Sequence, residues 1–118
     1  SAWLVGSEMC IRDRPMTGLV GDQISQGDAA GQARVAALNA LAAAADVAGG
    51  VNNIRRVVRV VVYVASTADF TAQPAVANGA SELFGEIFGD AGRHIRSAIG
   101  VASLPLGAPV KVELTVQV

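Results

Sequence analysis

The sequence predicts an α+β fold, a single sheet with two helices packed on one of its faces. Two observations carry that prediction. Along 118 residues the hydrophobic patterns run helix, strand, helix, strand, strand. The central pattern, "NIRRVVRVVVYVAS", is so dense in β-branched residues that a strand is its natural state. The length suits one domain with a small core.

Residues 1–14, "SAWLVGSEMCIRDR", stand apart from the rest. They hold the only Trp, the only Cys and one of the two Met. They show no sustained strand period and no helical stripe, and their basic residues come last, the reverse of a secretory signal. They resemble translated adapter read-through at the ends of open frames from metagenome assemblies. The expected division is therefore a non-native prefix over 1–14 and a single domain over 15–118. The other reading is a divergent strand at "AWLV".

The domain opens with a Gly-rich loop, "PMTGLVGDQISQG". Asp28 can cap a helix from Ala29 to Ala48, whose stripe is Val35, Leu38, Leu41 and Ala45 and whose stop is Gly49-Gly50. In the strand that follows, Ile54, Val58, Val60, Val62 and Val64 share one face. Arg55, Val57, Arg59, Val61 and Tyr63 share the other. Pro74 suits a first helical turn. Val76, Ala80, Leu83, Phe84, Ile87 and Phe88 then make an amphipathic stripe closed by Gly89 and Gly92. Strands are expected over His94–Val101 and Val110–Val118, joined by the turn Leu104-Pro105-Leu106-Gly107. The sheet face without helices is expected to be buried by other subunits, because 52% of the chain is hydrophobic and only 16% charged.

Composition also sets aside several functions. A net charge of −1 and 4% aromatic residues give no footprint for nucleic acid. No apolar run reaches the roughly 18 residues of a membrane span, and a cytoplasmic protein is the default. One Cys, Cys10, and one His, His94, are at most half a zinc ligand set, so no metal is expected.

The candidate site comes from face counting. Ile95, Ile99 and Val101 share one face of their strand, and His94, Arg96, Ala98 and Gly100 the other. In the last strand Val110, Val112, Leu114, Val116 and Val118 oppose Lys111, Glu113, Thr115 and Gln117. If both apolar sets face the helices, Arg96 and Glu113 project together from the other side. A guanidinium there can hold a small carboxylate in a bidentate fork, and a carboxylate can hold or activate a water. The plain alternative is a pair of solvated sheet residues. His94 falls on the Arg96 face and reads as a solvated or rim residue.

Longer stretches add a family likeness. "RSAIGVASLPLGAPVKVE" and "AVANGASELFGEIFGDAGRHIRSAIG" resemble the C-terminal strands and second helix of the RidA/YjgF family, the reactive-intermediate deaminases. "ARVAALNALAAA" and "RRVVRVVVYVAS" resemble its first helix and next strand. The resemblance runs from about Gly18 to the end. It implies a chorismate-mutase-like protomer and a homotrimer with clefts between subunits. It also implies hydrolysis of 2-imino acids to 2-keto acids and ammonia without a cofactor, as in 2-iminobutanoate/2-iminopropanoate deaminases. Arg96 then corresponds to the substrate-carboxylate anchor, Glu113 to the glutamate that positions water, and Asn78 to a cleft asparagine. A trimer that binds small carboxylates without turnover is the alternative. The family's usual N-terminal hairpin, which supplies a tyrosine and a serine, has no counterpart here, and Trp3 and Ser7 are no substitutes.

Overall fold

The computed structural model describes Trp3–Met9 and residues 16–118. Strand β1 (Trp3–Met9) is followed by helix α1 (Gln26–Ala48), strand β2 (Arg56–Ala65), helix α2 (Gln73–Phe88), strand β3 (Ile95–Val101) and strand β4 (Val110–Gln117). The four strands form one sheet in the order β1-β4-β2-β3. β2 and β3 are parallel, with α2 as their crossover. β4 runs antiparallel to β2 and β1. Both helices cover one face, as the sequence predicts, and β4, β2 and β3 make the three-stranded mixed unit on which they pack.

α1 begins earlier than expected. Ser25, not Asp28, is its N-cap, and the Ser25 side chain accepts from the Asp28 backbone N–H. Its stop is as read: Gly49 is left-handed at φ 88°, a conformation that favours glycine. The buried stripe differs from the sequence reading. Ala29, Ala33, Ala36, Ala37, Ala40 and Leu41 face the core, while Val35 and Leu38 are 38% and 50% exposed. Alanines win because α1 lies close to its neighbours. A Cβ on Gly79 of α2 would sit 2.0 Å from the Ala30 carbonyl oxygen, so the two backbones all but touch there.

β2 carries a bulge. Val57 pairs with Val116 and Arg59 with Thr115, so Val58 is an extra residue against β4. The bulge shifts the alternation, and Val57, Val60, Val62 and Val64 face the helices in place of Val58. β4 alternates regularly, with Val110, Val112, Leu114 and Val116 all buried. In α2, Pro74 lies in the first turn, and Val76, Ala77, Ala80, Leu83 and Phe84 are buried, while Ile87 is exposed.

Trp3–Met9 show a strand where no strand period was expected: a seven-residue strand, paired in register from Trp3 opposite Gln117 to Met9 opposite Lys111, with Leu4 packing on the core. A sheet edge offers a row of main-chain donors and acceptors that binds a strand with little regard to its sequence. Where the resemblance implies a hairpin, the described residues provide this one strand. Cys10 lies outside the described residues.

Candidate functional site

The site is built where α2 turns back into β3. Asn78 and Ser81, three residues apart, share one face of α2. A short 3-10 turn, Gly89–Gly92, then reverses the chain. It passes so near α2 that a Cβ on the buried Gly92 would lie 2.3 Å from the Phe84 carbonyl oxygen. That close passage sets His94 and Arg96 against the helix.

The polar groups form a chain. Arg96 Nη1 donates to Asn78 Oδ1 at 2.6 Å and, at 3.4 Å, to Ser81 Oγ. Ser81 Oγ lies 2.9 Å from His94 Nε2, and His94 Nδ1 lies 2.6 Å from the Gly92 carbonyl oxygen. A carbonyl only accepts, so Nδ1 carries a proton and, in the neutral ring, Nε2 accepts from the Ser81 hydroxyl. The Phe84 ring meets the imidazole edge-on at 5.9 Å and fixes its plane. His94 is thus held on both nitrogens and half-buried, not a solvated rim residue.

Ser81 and His94 line a cleft of about 490 Å³, floored by Gly85, Gly89 and Gly92 and flanked by Arg93 and Arg96. Arg93 leans on Asp90 at 3.8 Å, with both side chains almost fully exposed, so solvent screens that pair. Arg96 makes no ion pair among the described residues. A larger hollow of about 600 Å³, between Leu19, Phe70, Gln73 and Gly100, is lined by no charged side chain. The charge that could fix an anion is therefore in the first cleft. Among the described residues no group of three or more His, Cys, Asp and Glu could hold a metal ion. No described helix is long and apolar enough to cross a membrane.

Of the three site residues expected from sequence, the structure brings two together. Arg96 and Asn78 meet; Glu113 is elsewhere. Arg96 lies in register with Val60, and Val60 with Leu114, which are buried beneath the helices. Glu113 lies in register with Val61, and Val61 with Ser97, on the open side. The expectation that Arg96 and Glu113 share a face is therefore corrected. It assumed that Ile95 and Ile99 point to the helices, but these are 70% and 43% exposed on the open face. Small residues take the helix side of β3 because α2 leaves no room. A Cβ on Gly100 would lie 2.7 Å from the Gln73 side-chain nitrogen. Ser81 was not singled out by sequence reasoning. Its signal was its place three residues after Asn78 on the same helical face.

The family described as "YjgF/chorismate mutase-like, putative endoribonuclease" matches residues 16–118. Protein TCP17 of Trypanosoma cruzi is 41% identical over 103 residues, which are 86% of this chain and 64% of that protein. The chain thus spans less than two thirds of that relative's length. A crystal structure of a protein of unknown function from Agrobacterium tumefaciens superposes with a TM-score of 0.93 at 35% identity, over 98% of this chain and 76% of that one. A structure described as a "putative endoribonuclease" from Shewanella oneidensis gives a TM-score of 0.93 at 25% identity, over 100% of this chain and 80% of that one. The likeness of fold therefore takes in β1, whereas the family match starts at residue 16. With the family match over most of its length and the shared two-helix sheet, this chain belongs to the YjgF/RidA family.

Proposed function

We propose that the protein hydrolyses reactive 2-imino acids to 2-keto acids and ammonia, in clefts between the copies of a homotrimer. One observation carries the reading. Arg96 is steadied at one nitrogen by Asn78, has no carboxylate partner among the described residues, and borders the glycine-floored cleft. A guanidinium so placed can take a substrate carboxylate in a bidentate grip. A protonated imine is already electrophilic, so positioning it and a water supplies much of the catalysis, and no cofactor is required.

Glu113 enters from a neighbouring copy. It lies on the open face of the sheet, while Arg96 lies on the helix face of the edge strand β3. The exposed Ile95 and Ile99 supply apolar surface on that open face for the neighbour to cover. Packing one copy's open face beside the next copy's β3 edge would set Glu113 near a foreign Arg96, ready to orient water. The domain in this reading is 15–118, with 1–14 a foreign prefix. The family match from residue 16 supports that boundary.

The test is an assay in which a lyase generates the imine and its decay is followed with and without the protein. Acceleration that Arg96→Ala removes supports the reading, and wild-type turnover by Arg96→Ala would falsify it. The separation of Arg96 from Glu113 within one protomer favours a second reading, a carboxylate binder without turnover. Thermal stabilisation by 2-keto acids with no imine hydrolysis would select it. RNA cleavage that survives repeated purification and replacement of both Arg96 and Glu113 would displace both readings.

A further inference from the structure

Hydrolysis of an imine needs two proton transfers at opposite ends of the new carbinolamine. The attacking water must lose a proton, and the departing nitrogen must gain one. Glu113 from a neighbouring copy accounts for the first. The cleft of Arg96 contains a separate acid–base group that this role does not use.

We propose that Ser81 and His94 form a proton relay that protonates the departing amine; the proposal rests on the imine-hydrolysis reading above. The geometry is that of a positioned acid–base pair. Ser81 Oγ is 2.9 Å from His94 Nε2, within the reach such transfers require. A third group orients the imidazole, since the Gly92 carbonyl oxygen takes Nδ1–H at 2.6 Å. Ser81 Oγ also lies 3.4 Å from Arg96 Nη1. A carboxylate gripped by the guanidinium therefore sets its own α-carbon and nitrogen beside the serine hydroxyl.

The Gly92 contact lets the relay run. Nδ1 keeps its proton in both the neutral and the protonated ring, so that bond is the same in each. Only the bond to Ser81 reverses: Nε2 accepts from the hydroxyl when neutral and donates to it when protonated. In the forward step, water adds to the imine carbon and gives its proton to Glu113. The resulting carbinolamine carries a neutral amino group. Protonated His94 gives the Nε2 proton to Ser81 Oγ while the serine hydroxyl proton passes to that amino group. The C–N bond then breaks as the carbinol oxygen forms the keto group. The carbinol proton leaves with ammonia as ammonium. Transfer of the Glu113 proton back to His94 through solvent resets both groups.

The charged groups about His94 are Arg96 on β3, Arg93 beside it and Asp90 in the preceding turn. α2 turns Asn78, Ser81 and Phe84 toward this cluster, none of them charged. Glu82 on α2 instead acts on Arg34 of α1.

The experiment measures kcat and KM for imine hydrolysis across pH in the full chain and in His94→Gln and Ser81→Ala. A general acid of this kind is worth on the order of 100-fold in rate. The expected result is a kcat loss of about that size in both variants, with KM within about twofold, because Arg96 still holds the carboxylate. The pH profile of kcat should change in His94→Gln relative to the wild-type chain, which loss of a residue with a merely structural role would not do. A folded His94→Gln with wild-type kcat and an unchanged profile overturns the relay while leaving the imine reading intact. Absence of turnover in the wild-type chain overturns both. If His94→Gln does not fold, Ser81→Ala decides, since it removes the link and leaves the imidazole in place; wild-type kcat there overturns the relay.

Discussion

β4 and β3 lie on either side of β2, and they treat their apolar residues in opposite ways. In β4 every helix-facing residue is a large aliphatic, and the polar ones alternate outward. In β3 the helix side carries Arg96, Ala98 and Gly100, and the isoleucines point away. The difference is one of what each strand must meet. β4 sits under α1, with space to fill. β3 runs along the start of α2, where the Gln73 side chain crowds the glycine and the Asn78 carbonyl draws the arginine. Apolar alternation reports burial, and burial in an assembly is not the same as burial in a protomer.

Replacing Arg96 with Ala gives the largest expected effect. It removes the one cleft cation bonded to α2 among the described residues, and kcat/KM for a small imino acid should fall by at least about 100-fold, with Lys restoring only part of it. The division of faces is tested by mixing. Arg96→Ala and Glu113→Gln chains, each inactive, should regain about a quarter of wild-type activity when co-refolded at equal amounts, if each site draws on two copies of a symmetric ring. No recovery would place both residues in one protomer's site.

Two further substitutions set the two strands against each other. Val112→Ala, in the β4 core, should lower unfolding free energy by about 2 kcal/mol at any protein concentration. Ile99→Ala should cost under about 0.5 kcal/mol in an isolated protomer, and its effect should appear instead as weaker self-association in sedimentation. Gly79→Ala belongs with the core changes. Its methyl would meet the Ala30 carbonyl, and a loss of about 1–3 kcal/mol is expected in denaturant titration.

The smallest effect is at the Arg34–Glu86 bridge, 2.6 Å between α1 and α2 with side chains 46% and 59% exposed. The hydrogen bond and charge of Arg34 hold the Glu86 carboxyl below its ordinary value of 4.5. Its contribution is therefore present above that value and is lost as pH falls through the lower, folded one. Glu86→Gln should remove this acid dependence and change the melting temperature only slightly, less so in salt.

Fold and the element order from α1 to β4 were legible because β-branched runs, Gly stops and the α2 stripe each carry a local signal. The β2 bulge was not, since an inserted residue such as Val58 looks like any other valine. Arg96 was found by face counting and Asn78 through a family likeness, and the two do meet. The face of Arg96 was misread because the count assumed that Ile95 and Ile99 must be covered by this chain's own helices. Ser81 escaped notice because a serine in a helix has no mark of its own; only the turn at Gly92 brings His94 to it.

The pairing of Trp3–Met9 along β4 has a practical consequence. Main-chain bonds carry that contact, with Leu4 packing on the core. The outer edge of β4 thus works as a socket that reads backbone rather than letters. A strand of foreign sequence, with one aliphatic side chain at the Leu4 position, should seat there as well as the present one. That makes this edge a natural place to graft a peptide label or to supply the strand in trans from a second polypeptide.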